Sequence, residues 1–118
     1  ICDADATTHY LQYWYRTRGV VTLPQAIRKL TKMPAEVLGL KKRGTLEVGH
    51  FADINVFDPQ TVASGQPTYV NDFPDQTGRL FIKSRGYAAT IVNGAIVTEQ
   101  GTHTGARPGR VIREFARA

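Results

Sequence analysis

The chain has 118 residues, 42% of them hydrophobic, with 15 Lys and Arg against 10 Asp and Glu for a net charge of +5. That suffices for one modest core and excludes collagen, coiled-coil and disordered-tail compositions. The basic residues are scattered except at Lys41–Arg43, which argues against nucleic acid as a partner, and the single cysteine, Cys2, excludes an internal disulfide framework.

That cysteine usage suits a reducing, cytoplasmic setting. No apolar run approaches the roughly 20 residues that cross a bilayer, so no membrane partner is expected, and the start lacks the basic-then-apolar plan of a signal peptide. The only methionine is Met33, so Ile1 is not expected to be a translated start and the chain reads as a piece of a longer polypeptide.

In chain order, "DATTHYLQYWYRTRG" predicts a helix with Thr7 or Thr8 as N-cap, Arg16 and Arg18 near its end and Gly19 where it stops. Tyr10, Tyr13, Trp14 and Tyr15 cover more than one helical stripe, so some of them are expected to pack on chain outside these residues. "VTLPQAIRKLTKMP" offers a capping box, Thr22 with Gln25, and a weak staple between Val21 and Ala26. Ala26, Ile27 and Leu30 form one apolar face. Pro34 discourages a helical Met33 and is expected to open a new short helix closed by Gly39.

After Gly44 the apolar period changes to two. "RGTLEVGHFADINVFDP" predicts two short strands around a Gly-His turn. In the second, Ala52, Ile54 and Val56 face one way and Asp53, Asn55 and Phe57 the other, until Asp58-Pro59 ends it. Ser64 to Gly78, rich in Gly, Pro, Asn and Asp, is assigned to a long loop. "RLFIKS" and "YAATIV" read as strands, and Asn93-Gly94 before "AIVT" is the strongest hairpin signal, a type I′ turn. The tail "HTGARPGRVIREF" reads as loop followed by a short strand or helical turn.

Chemistry is harder to find. His9, His50 and His103 are too far apart for a local metal motif; they are assigned to a first helical turn, a turn and an exposed loop. Cys2, Asp3, Asp5 and His9 fall within eight positions. They suit a ligand or acid–base cluster, or else the acids favour a helix N-terminus and Cys2 packs. No nucleotide loop or serine-hydrolase elbow is present.

The run "TLPQAIRKLTKMPAEVLGLKKRGTLEVGHFADINVFDP" resembles the end of a metal-dependent amidohydrolase of the N-acyl-D-amino-acid deacylase type. The matches include Arg28 to Thr31, Pro34, Ala35, Gly39, Arg43, Gly44, Gly49, Ala52, Asp53 and Phe57 to Pro59, and "IVNGAIV" and "ARPGRVIREF" resemble the family's closing hairpin and C-terminal end. The resemblance implies an α+β chain in which residues 1–43 are helices derived from the end of a (β/α) barrel and residues 44–118 are a partial β-sandwich, with Asp53 in a structural role.

It also implies zinc in the full-length enzyme, activating water for attack on an acyl carbonyl while an Asp carries the proton to the leaving amine. The metal ligands and that Asp would precede Ile1, so this chain is expected to hold no cofactor, to be inactive alone and to have the remainder of the barrel as its partner. Cys2, Asp3 and His9 are then candidates for a loop on the active-site side. As an isolated chain it is expected to self-associate into a homo-oligomer. The alternative is a stand-alone self-associating or partner-binding module without catalytic activity.

Overall fold

The computed structural model describes residues 5–113 and Phe115; Cys2 and Asp3 lie outside them. Helix α1 (Ala6–His9) runs into a π-helical segment, Tyr10–Thr17. The N-cap is Asp5 and not Thr7 or Thr8, and no side chain caps the first turn. Thr8 is instead buried against the sheets, where its hydroxyl has other partners. Gly19, at φ +61°, closes the segment as expected. Its aromatics divide: Tyr10 and Tyr15 pack on the core, while Tyr13 and Trp14 are exposed.

Helix α2 (Leu23–Leu30) opens with the expected capping box. The Gln25 amide donates to the Thr22 hydroxyl at 3.4 Å, and the Thr22 amide donates to Gln25 Oε1 at 2.9 Å. Helix α3 spans Lys32–Val37, so Met33 is helical and Pro34 is the third residue, not the first. The first four N–H groups of a helix lack intrahelical partners, so a proline there removes no bond. Gly39 at φ +64° ends α3, with the Leu40 amide donating back to the Ala35 carbonyl at 2.8 Å.

Only one strand of the expected Gly-His hairpin forms. Residues around Thr45–Glu47 are irregular, turned by Gly49 at φ +86° and by the His50 amide donating to the Glu47 carbonyl at 3.0 Å. Strand β1 (Ile54–Phe57) pairs antiparallel with β4 (Tyr87–Val92), and a bulge between Val56 and Phe57 brings the Phe57 ring to 5.9 Å from Tyr87. Strand β5 (Ala95–Glu99) follows the Asn93-Gly94 turn, whose φ values of +48° and +80° are those of type I′. A second positive-φ pair, Gln100-Gly101, leads to the two-residue β6 (Thr102–His103), which completes a sheet ordered β1-β4-β5-β6. His103 thus lies on an edge strand, and the tail after it is irregular.

The largest departure lies between these elements. The first half of Ser64 to Gly78 is strand, not loop: β2 (Ala63–Val70) pairs with β3 (Arg79–Arg85) as a two-stranded ribbon, and the remainder is the connecting loop, turned where Asp75 and Gln76 take φ of +58° and +56°. Each strand of such a ribbon has a free edge, where Pro67 is tolerated. The glycines have packing roles: a Cβ at Gly65 would lie 2.4 Å from the Lys83 carbonyl oxygen, and one at Gly78 would lie 2.2 Å from the Tyr69 ring.

The chain passes from one sheet to the other at Asp58–Val62 and returns at Gly86, and the two crossings touch. The Asp58 amide donates to the Gly86 carbonyl at 2.9 Å, and Gly86, at φ +85°, packs against the Val62 backbone. Val62 is fully buried and joins Leu11 and Ala26 in a small core to which Tyr10, Leu23, Ile27, Leu30, Phe57 and Tyr87 pack.

That core is thin for this length. The accessible surface is 8949 Å², whereas a compact monomer of 13.0 kDa exposes about 6,300 Å². The radius of gyration is 15.8 Å against about 13.5 Å for a compact domain.

Candidate functional site

Two polar junctions organise the molecule. At the first, the Thr8 hydroxyl lies 3.1 Å from both Ser84 Oγ and Tyr87 Oη. About two turns later Arg16 donates from Nη1 to the carbonyls of Val62 at 2.6 Å and Pro59 at 3.1 Å, and between them Gln12 Oε1 accepts from the Ser64 amide at 2.9 Å. The inward face of the first helix is therefore committed to holding the sheets. Sequence patterning missed this, because a hydroxyl and an arginine on a helix look like solvated groups until the strands they reach are known.

The second junction lies beside the Asn93-Gly94 turn. Asp53 accepts from the Asn93 amide at 2.9 Å and from Arg43 Nη1, and the Arg43 guanidinium lies 4.1 Å above the Phe51 ring. This gives Asp53 a structural role, at the Asn93-Gly94 turn and not at the Gly49-His50 turn of its own motif; its partner Arg43 was among the motif residues but had no assigned role. Asn93 Nδ2 donates to the Pro108 carbonyl at 2.9 Å, tying the tail to the same turn. Between the α3 exit and that tail opens a cleft of about 990 Å³, lined among others by Lys41, Arg43, Phe51, Arg110, Val111 and Arg113.

The histidines stay apart in employment. His9 is exposed and stacks on Tyr13 with ring centroids 5.3 Å apart, and Tyr13 meets Trp14 edge-on at 5.1 Å. His50 Nδ1 lies 2.9 Å from the Thr45 hydroxyl, and His103 Nδ1 accepts from the Gly105 amide at 2.8 Å. Among the described residues no three of His, Cys, Asp and Glu are grouped to hold a metal ion. Cys2 and Asp3, proposed to accompany His9, fall outside those residues.

Two acids with lowered pKa values serve turns. Backbone and hydroxyl donation from Gln60 and Thr61 holds the Asp58 carboxyl below its ordinary value. Asp72 is likewise lowered, by Arg79, which donates from Nε at 2.7 Å and Nη2 at 2.6 Å and is itself raised by the pair. None of these groups lies in the cleft.

Comparison with known proteins points to one family, in which the relatives include deacylases and dihydroorotases. The model of the family described as "Amidohydrolase family" matches residues 3–98. A D-aminoacylase of Alcaligenes xylosoxydans xylosoxydans is 36% identical over 106 residues, which are 90% of this chain and 20% of that protein. A solved D-aminoacylase variant in complex with copper chloride superposes with a TM-score of 0.74 at 35% identity, covering 92% of this chain and 21% of that one. The N-acyl-D-glutamate deacylase of Bordetella bronchiseptica, solved with zinc and a phosphonate mimic of the tetrahedral intermediate, gives 0.72 at 37% identity over 91% of this chain and 20% of its own. The chain thus spans about a fifth of the length of the relatives it matches.

Proposed function

The chain belongs to the amidohydrolase family, on the side of its N-acyl-D-amino-acid deacylases, and from that premise we propose that it is the C-terminal segment of a zinc-type amidohydrolase acting on N-acyl-D-amino acids or related linear amides. In this reading residues 1–43 belong to the end of the catalytic barrel and 44–118 to a β-sandwich, and the segment supports the catalyst without supplying its metal. The observation that carries it is the continuous match, in sequence and in fold, across nine-tenths of this chain to about a fifth of a deacylase.

The described residues do not fit a zinc site, since His9, His50 and His103 each have separate local partners. No catalytic step is therefore assigned to them. Zinc, when bound by the rest of the enzyme, supplies an activated water and polarises the acyl carbonyl. What this chain's own residues do is hold the last helices against two sheets, through Arg16, Thr8 and the Asp53 junction. His9, on the outward face with Tyr13 and Trp14, is assigned with Cys2 and Asp3 to the active-site side of the barrel.

The excess surface supports incorporation into something larger. About 2,600 Å² beyond a compact monomer matches one partner's share of a large obligate interface, whose area summed over both partners runs about 2,000–5,000 Å² or more. The same surface favours the second reading, in which the isolated chain pairs with copies of itself.

Metal content and deacylation of N-acetyl-D-amino acids, measured on the 118-residue chain and on a longer reading frame containing it, test the proposal. The longer protein is expected to bind zinc and turn over, and the chain alone to do neither. Stoichiometric zinc on the chain, lost in His9→Ala, would overturn it. Sedimentation at micromolar concentration is expected to give a dimer or larger species, and a compact monomer would remove the self-association reading.

A further inference from the structure

We propose that the cleft between the α3 exit and the C-terminal tail binds an organic anion with an apolar body, of the type of a medium-chain carboxylate. Four basic side chains line it, Lys41, Arg43, Arg110 and Arg113, and among the described residues no carboxylate is in its lining. Arg43 is already held by Asp53 and Phe51. Lys41, Arg110 and Arg113 have no carboxylate partner within salt-bridge distance among the described residues. Like charges gathered around one concavity raise its positive potential and concentrate anions there.

The apolar part of the lining selects the ligand's body. Phe51 is 45% exposed, Val111 80% and Ile112 40%, and all three line the same space as the cations. The tail carrying Arg110 and Val111 is tied at its base, where the Pro108 carbonyl accepts from Asn93 Nδ2. A head of one negative charge meets the cations while a chain of several carbons covers the exposed side chains, and a volume of about 990 Å³ accommodates it. Neither the metal nor a catalytic step enters the inference; it takes the cleft to be a part of the exposed surface that stays open.

The test is calorimetric titration of the full 118-residue chain with octanoate at low salt, beside acetate, which has the head alone, and octylammonium, which has the same body with opposite charge. Octanoate is expected to bind saturably, more than about tenfold tighter than either control and more weakly as salt rises. Lys41→Ala/Arg110→Ala should weaken it at least about tenfold, while Lys29→Ala/Arg85→Ala, which removes the same charge elsewhere, should change it less than about twofold. Should the cleft variant fail to fold, Val111→Asp at an exposed position gives the same reading by repulsion. Equal loss in both double variants, octylammonium binding as tightly as octanoate, or no saturable binding overturns the proposal.

Discussion

Gly86→Ala should be among the most damaging single-methyl additions available in this chain, and the reason is separable into two parts. Gly86 sits at φ +85°, where an L side chain costs roughly 1–2 kcal/mol. Its Cβ would also fall 2.5 Å from both the Cα and the N of Val62, which is fully buried and backbone-tethered, and such overpacking adds about 1–3 kcal/mol. Gly49 supplies the control: its φ of +86° is nearly identical, yet a Cβ there meets nothing within 4 Å. Gly49→Ala should therefore lose only the conformational part, about 1 kcal/mol, and Gly86→Ala about 2–5 kcal/mol. With a urea slope of about 1–3 kcal/mol/M, the midpoint of Gly86→Ala should fall about 1 M or more below that of the parent. Urea unfolding followed by far-ultraviolet circular dichroism and by the fluorescence of the single tryptophan, Trp14, reads this out. Equal midpoints for the two variants would refute the close approach of the two sheet crossings.

The type I′ turn predicts that Gly94→Val, a β-branched residue at φ +80°, lowers stability by about 1 kcal/mol or more, and an unchanged midpoint would show the turn tolerates it. Asp53→Ala strands the Asn93 amide and Arg43 together and should cost about 1–2 kcal/mol; the Arg43→Ala/Asp53→Ala double variant should lose less than the sum, and strict additivity would show the pair is uncoupled. Asp72 lies below its ordinary value of 3.8 in the fold, so its contribution is full above that value and is lost as pH falls through the lower folded one. Asp72→Asn should flatten the acid limb of the stability profile, and an unaltered limb would remove Asp72 from it.

What could be read from the sequence was what is decided within a few residues. The Thr22 capping box, the Asn93-Gly94 turn and the closing glycines at positions 19 and 39 each need only a local backbone geometry, and each forms as expected. Strand β2 was hidden because Gly65 and Pro67 are ordinary turn residues; what makes them strand is the facing chain at Ile82–Ser84, which no local pattern announces. The converse holds at Thr45–Glu47, where alternation suggested a strand but no described strand pairs with it. Asp53 was assigned a structural part through the family resemblance, yet its Arg43 partner, ten positions earlier, required the fold. The candidate group of Cys2, Asp3 and His9 rested on proximity along the chain, and of these only His9 could be placed, on an exposed aromatic stack.

The two sheet crossings, meeting at one point, also set how the molecule can move. Asp58–Val62 leads out to the β2–β3 ribbon and Gly86 leads back, so the ribbon is a lever about 25 Å long with both of its strands anchored at the same end. Its angle to the other sheet is fixed by Arg16 gripping the Pro59 and Val62 carbonyls and by Thr8 meeting Ser84 and Tyr87. Remove that grip and the ribbon can swing as a unit on the microsecond-to-millisecond scale of hinge motions while its own hydrogen bonds stay intact. In Arg16→Ala, relaxation dispersion should thus appear at Val62 and Gly86 and along β2 and β3 together, and a ribbon that stayed still would place the restraint elsewhere. The first helix would then act less as a layer of the fold than as the brake on its one joint.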